Sequence, residues 1–108
     1  MYVFENRHGH ALNVKVTFPE NPLATVLIHH GYAGSIQSPV IQRLLKAFND
    51  SGFITVAPDT FNSLNSSSGD IANFTFRGHA EDLADTAAWA QKQDWFKGRM
   101  HLAGYSLG

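Results

Sequence analysis

Ser106 stands between two glycines in Gly104-Tyr105-Ser106-Leu107-Gly108, directly after the apolar run Met100-His101-Leu102-Ala103. Gly-x-Ser-x-Gly after a strand is the sequence form of a nucleophile elbow, a sharp strand-to-helix turn that holds a serine in a strained backbone conformation. Glycine is needed on both sides because a β-carbon at Gly104 or Gly108 would collide with the neighbouring strand or the helix. The chemistry this allows is nucleophilic attack on an acyl carbonyl. A serine used in this way also needs a histidine base and an acid that orients it. On an elbow of this kind both follow the serine in the chain, and nothing follows Gly108 here. The expectation is therefore the front part of a longer protein, with no residue of this stretch assigned as acid or base.

The elements that must position Ser106 can be read from the rest of the chain. Val14, Val16 and Phe18 alternate with Lys15 and Thr17, the period of a half-buried strand. With Met1 to Glu5 and the turn residues Asn6-Arg7-His8-Gly9 between, this predicts an antiparallel hairpin over 1–5 and 11–18. Ala24 to His29 and Phe53 to Ala57 are nearly continuous apolar runs, which suits parallel strands covered on both faces. Ser38-Pro39 reads as an N-cap followed by proline at the first helical position. Val40, Ile41, Leu44, Leu45 and Phe48 then recur at helical spacing up to Gly52. A second helix is expected from Phe76 to Gln93, with Phe76, Ala80, Leu83, Ala87 and Ala90 as its buried stripe. Arg77, Glu81, Asp82 and Asp85 are expected on its solvated face. The Asn- and Ser-rich segment from Thr60 to Asp70 reads as a surface loop. Strands alternating with amphipathic helices make this one α/β domain over 1–108, with a mainly parallel sheet and an antiparallel N-terminal hairpin.

Ligand sites in such sheets lie at the carboxyl ends of the strands. Three turns converge there: His30 to Ser35, Asp59 to Asp70, and Gly104 to Gly108. The backbone N–H of Leu107, at the start of the helix after the elbow, would be one donor to a developing oxyanion. A loop N–H after the third strand must be the other, and Gly31 lets that loop approach closely. The histidines are assigned as follows: His8 and His10 to an exposed turn, His29 to the strand-end core, His79 to the surface of a helix, and His101 to packing in mid-strand. Asp59 reads as a brace of its loop.

These residues carry a resemblance. His30-Gly31-Tyr32-Ala33-Gly34-Ser35, Pro58-Asp59, Asn73-Phe74-Thr75, Glu81-Asp82-Leu83 and Leu102-Ala103-Gly104-Tyr105-Ser106-Leu107-Gly108 occur in order and with fitting spacing over nearly the whole chain. The sequence resembles the N-terminal part of a serine hydrolase of the α/β-hydrolase fold. It is most similar to small carboxylesterases of the cinnamoyl and feruloyl esterase type and to serine aminopeptidase-like hydrolases. The resemblance implies that Ser106 is the nucleophile, that the N–H groups of Tyr32 and Leu107 form the oxyanion hole, and that His30 shapes its loop. It implies the first five strands and two helices of a sheet whose second strand is antiparallel. The family's Gly-His-Gly or Arg-Gly-x-Gly segment is replaced here by Asn62-Ser63-Leu64-Asn65-Ser66-Ser67-Ser68.

Composition narrows the function classes. The net charge is -1 and there is no basic run, which argues against nucleic acid as a partner. No apolar stretch reaches the about 18 residues of a membrane span. There is neither a basic n-region nor an apolar h-region at the N-terminus, so a cytoplasmic enzyme is expected. Cysteine is absent, and no His, Asp and Glu cluster has metal-ligand spacing. No Gly-x-Gly-x-x-Gly follows a strand. The expectation is a cofactor-free hydrolase of a small-molecule ester. The alternatives are a non-catalytic binding protein of the same fold and an inactive fragment.

Overall fold

A computed structural model describes residues 1–63, 69–106 and 108. Five strands form one mixed sheet: β1 (Tyr2–Glu5), β2 (Ala11–Thr17), β3 (Ala24–His29), β4 (Phe53–Pro58) and β5 (Met100–Gly104). Two helices, α1 (Pro39–Asp50) and α2 (Phe76–Gln91), and a 3-10 turn over Ile71–Asn73 complete it. The strand order is β1-β2-β4-β3-β5. β2 runs antiparallel to both β1 and β4, whereas β3 pairs in parallel with β4 and β5. The expected hairpin and parallel strands are thus present.

The alternation of β3 divides the core. Val26 and Ile28 face α1 and pack with Ile36, Ile41, Leu45 and Ala57. Leu27 faces the other way, toward α2, and packs with Val14, Ile54, Val56 and Ala90. Complete burial of one such Leu or Ile side chain stabilises the fold by about 1.5–3 kcal/mol. Between β2 and β4 the hydroxyls of Thr17 and Thr55 meet.

α1 begins at Pro39, with Ser38 at the N-cap, but the Ser38 hydroxyl does not cap the helix. Its oxygen instead accepts the Ser35 N–H at 3.0 Å, bracing the turn before the helix. α1 stops ahead of Gly52, whose φ of +94° favours glycine. α2 starts with Thr75, whose side chain accepts the Gly78 N–H at 2.9 Å. It ends at Gln91, two residues before the sequence-based boundary, where Gln93 closes a tighter turn onto the Ala90 carbonyl.

Four expectations for α2 and β5 need correction. The residues α2 buries are His79, Asp82, Thr86 and Ala90, a polar stripe at i, i+3, i+7 and i+11. Phe76 is exposed, and so is Ala80. Asp82 is therefore not on the solvated face, nor is His79 on the surface: each finds hydrogen-bond partners from distant segments. His101, expected to be packed in mid-strand, is exposed in this chain, with its ring edge-on to Phe53 at 5.6 Å. The 60–70 segment is also not a surface loop from its start. Thr60 and Ser63 are buried, while residues 64–68 lie outside the described ones.

Candidate active site

The elbow is built by the pairing of β5 with β3. The register ends with His29 opposite Gly104, and the Tyr105 N–H donates to the His29 carbonyl at 3.4 Å. Ser106 then takes φ = +59°, a left-handed conformation that costs a non-glycine residue about 1–2 kcal/mol. The Gly108 N–H closes the turn onto the Tyr105 carbonyl at 3.0 Å. A β-carbon on Gly104 would overlap the Gly108 backbone, and one on Gly108 would overlap the carbonyls of His29 and His30. Both glycines are thus required by space, and strain at Ser106 is held in place by a turn that admits no side chain on either side.

The turn after β3 faces this elbow. The Gly34 N–H donates to the Gly31 carbonyl at 3.0 Å, and Ala33 has φ = +56°. A four-residue turn with positive φ at its third position is of the type II class. Tyr32 occupies the second position and is exposed, with its ring edge-on to Phe74 at 4.9 Å. Tyr32, Ala33, Val40, Ile41, Tyr105 and Ser106 line a cleft of about 250 Å³. Leu107, the other expected oxyanion donor, lies outside the described residues. Asp59 braces the loop as expected: its Oδ1 accepts the Ile36 N–H at 2.7 Å, tying the end of β4 to the segment after the Tyr32 turn.

Behind the Tyr32 turn lies a buried histidine cluster. His29, His30 and His79 are each no more than 2% exposed. His30 Nδ1–H donates to the Gly31 carbonyl at 2.7 Å, which leaves Nε2 to accept the Thr60 N–H at 3.2 Å. His79 Nε2–H donates to the His30 carbonyl at 2.9 Å, so its Nδ1 accepts the Thr60 hydroxyl proton at 3.0 Å. His29 Nε2–H donates to the His79 carbonyl at 3.2 Å, and its buried Nδ1 has no partner among the described residues. These partners assign one neutral tautomer to each ring. Burial pushes His29 down to about 3, with His79 and His30 adding to the shift. Burial also pushes His79 down to about 4 and lowers His30. Burial thus favours the neutral form of all three rings.

The hairpin turn packs against α2 through a second polar group. Asn6 Nδ2 donates to Asp82 Oδ1 at 2.8 Å, and Asp82 Oδ2 accepts the Phe61 N–H at 2.8 Å. Burial raises the Asp82 pKa, against these hydrogen bonds. Arg7 lies alongside and pairs with Asp85 at 2.8 Å and with Glu81 at 3.5 Å. Burial works upward on Asp85, but its hydrogen bonds from Arg7 outweigh that and lower its pKa. His8 Nε2 meets Glu81 at 3.0 Å. His8 is exposed as expected, whereas His10 is half-buried and stacks on Phe61 at 3.7 Å. Asn6, Thr60, His79 and Asp82 are the residues that sequence reasoning missed. The signal that could have found the last two is their helical spacing with Thr86 and Ala90. Among the described residues no group of three His, Asp or Glu could hold a metal ion. No helix among them is long and apolar enough to cross a membrane.

The strand order, the antiparallel second strand and the strained serine at the end of β5 define an α/β hydrolase. Residues 8–108 match the X-Pro dipeptidyl-peptidase (S15) family, and the chain belongs to that family. Among solved structures, Est1E from Butyrivibrio proteoclasticus, with ferulic acid bound, superposes with a TM-score of 0.91 at 22% identity. That alignment covers 100% of this chain and 43% of the other. XC6422 from Xanthomonas campestris, a serine hydrolase without a lid, gives 0.82 at 26% identity over 99% of this chain and 50% of that one. A serine hydrolase homologue from Coxiella burnetii gives 0.83 at 24% identity over 98% and 51%. The chain thus spans about two-fifths to half the length of these structures. No curated protein sequence matches it.

Proposed function

We propose that Ser106 is the nucleophile of a serine hydrolase that cleaves a small-molecule carboxylic ester. The observation that carries this reading is the left-handed Ser106 at the end of a parallel strand, in the cleft it shares with the Tyr32 turn. The Ser106 hydroxyl oxygen forms a bond to the ester carbonyl carbon, and the C–O bond to the alcohol breaks. The serine proton passes through a base to the departing alcohol. Water then attacks the acyl-enzyme, releasing the acid and restoring Ser106. The N–H groups of Tyr32 and Leu107 are the donors to the tetrahedral oxyanion, where each is worth about 10²–10³ in rate. His29, His30 and His79 are buried and hydrogen-bonded within their own cluster, and this reading assigns no residue of the chain as its base or acid. The chemistry draws on no cofactor.

The family description favours a second reading, in which the acyl group is that of an X-Pro dipeptide and the bond is an amide. The nucleophile and the donors are the same. The test uses the full-length protein that carries this chain. A fluorophosphonate probe should label Ser106, and Ser106→Ala should abolish labelling and lower kcat by roughly 10⁶-fold. Turnover of p-nitrophenyl acetate supports the ester reading, and turnover of an X-Pro p-nitroanilide alone moves the assignment to the amide. A label that maps to another residue of an active protein overturns both.

A further inference from the structure

We propose that His79 is a positioning residue for the Tyr32 turn, working as a pair with Thr60. This rests on the reading of Tyr32 as an oxyanion donor. A peptide N–H that must meet a developing charge is useful only if its plane is fixed beforehand. The residues just before Tyr32 present two carbonyls that could otherwise reorient, those of His30 and Gly31. Each is held by an imidazole N–H. His79, reaching from α2, donates to the His30 carbonyl at 2.9 Å, and His30 donates to the Gly31 carbonyl at 2.7 Å. The Gly31 carbonyl also accepts the Gly34 N–H that closes the turn.

Each imidazole must hold its proton on a particular nitrogen for this to work, and Thr60 serves the other nitrogen of both. Its N–H donates to His30 Nε2, which leaves the proton on Nδ1. The His30 carbonyl, which can only accept, holds the His79 proton on Nε2, so the Thr60 hydroxyl donates to His79 Nδ1, with His30 Nε2 also 3.2 Å from its oxygen. One residue just past β4 therefore partners both rings, and the two rings fix two successive carbonyls of the Tyr32 turn. The cluster is closed to water: Thr60 is fully buried, and His30 and His79 are 1% and 2% exposed. A charged His79 would place a proton on Nδ1, facing Thr60 Oγ1, and the hydroxyl could no longer donate to it. Burial keeps that ring neutral at working pH.

A residue present only for packing would be replaceable by any side chain of similar bulk. The proposal instead requires the donor, which separates three variants in the full-length protein. His79→Leu keeps apolar bulk and deletes the donor. His79→Gln keeps an amide N–H near the position of Nε2. Thr60→Val deletes the hydroxyl that partners His79 Nδ1. We expect His79→Leu to lower kcat by about 10–100-fold, below the loss of a whole oxyanion donor, with KM changed less than about twofold. His79→Gln should recover most of that loss, and Thr60→Val should fall between the two. Rates are taken per active site, counted by fluorophosphonate labelling, so that misfolded protein does not enter.

Amide hydrogen exchange over residues 31–34 provides the reading that does not depend on catalysis. It should quicken at least tenfold in His79→Leu and return toward the wild-type rate in His79→Gln. Unchanged exchange in His79→Leu overturns the proposal, as does a Gln variant no better than Leu in both measurements. Full activity of Ser106→Ala would overturn the serine reading instead, and the exchange experiment would still decide the role of His79. A changed exchange rate with kcat untouched would place His79 in turn stability alone and overturn its role in the reaction.

Discussion

The carbonyl of His29 occupies the space that a β-carbon on Gly108 would need. The end of one strand thus sets the residue type allowed two positions after the serine. Gly108→Ala is expected to destabilise the full-length protein by about 3 kcal/mol or more, since the obstacle is backbone and cannot rotate away. Gly9→Ala is the matched control. Gly9 has a positive φ, but nothing lies within 4 Å of the added carbon, so only the conformational cost of about 1 kcal/mol applies. Denaturant unfolding of the two variants should separate them clearly; equal losses would mean that the His29 carbonyl does not exclude a side chain at Gly108.

The type II character of the Tyr32 turn allows a clean deletion of a single N–H. Proline is favoured at the second position of such turns, so Tyr32→Pro fits the backbone and removes only the donor and the ring. Activity should fall by about 10²-fold or more in Tyr32→Pro and stay nearly intact in Tyr32→Phe. A Pro variant as active as wild type would move the oxyanion hole to other groups.

Asn6 and Asp82 lie 76 residues apart in sequence and share a buried hydrogen bond. Asp82→Ala strands both the Asn6 amide and the Phe61 N–H, at a cost of about 3 kcal/mol. In a double-mutant cycle with Asn6→Ala the coupling should be about 1–2 kcal/mol. Additive losses in urea unfolding would show that the pair contributes nothing beyond its members.

The histidine cluster dictates an acid sensitivity. His29 and His79 titrate near 6.5 when unfolded but at about 3 and about 4 when folded, so the unfolded chain binds protons first. Stability is fully present above pH 6.5 and is lost as pH falls toward the folded values, by about 1.4 kcal/mol per unit for each group. Asp82, raised by burial, acts with the opposite sign, because its protonation on acidification favours the folded state. Between pH 7 and pH 5 the two histidines should cost about 3–4 kcal/mol in total. His79→Gln removes one titrating group and should halve that dependence. A flat stability profile over this range would show that the rings are not held neutral.

The strands and the elbow were legible because their signals are local. Alternation at Val14 and Val16, apolar runs at 24–29 and 53–57, and the glycine spacing around Ser106 each carry their meaning within a few residues. The polar network was not legible, because His79, Asp82, Thr60 and Asn6 have side chains that ordinarily read as solvated. What buries them is a set of partners 19 to 76 residues away. α2 shows the failure most plainly. Of its expected stripe, Leu83, Ala87 and Ala90 do pack on the core, yet the inward face also carries a histidine, an aspartate and a threonine, each satisfied by a hydrogen bond.

Both tryptophans sit at the hairpin seam. Trp89 on α2 stacks on Phe4 at 5.3 Å and lies 5.9 Å from Trp95, and Tyr2 meets both rings. Among the described residues, the aromatic side chains that line the cleft beside Ser106 are Tyr32 and Tyr105. Emission excited at the red edge, where tryptophan alone absorbs, therefore makes Trp89 and Trp95 a reporter of whether β1 and β2 are docked on α2.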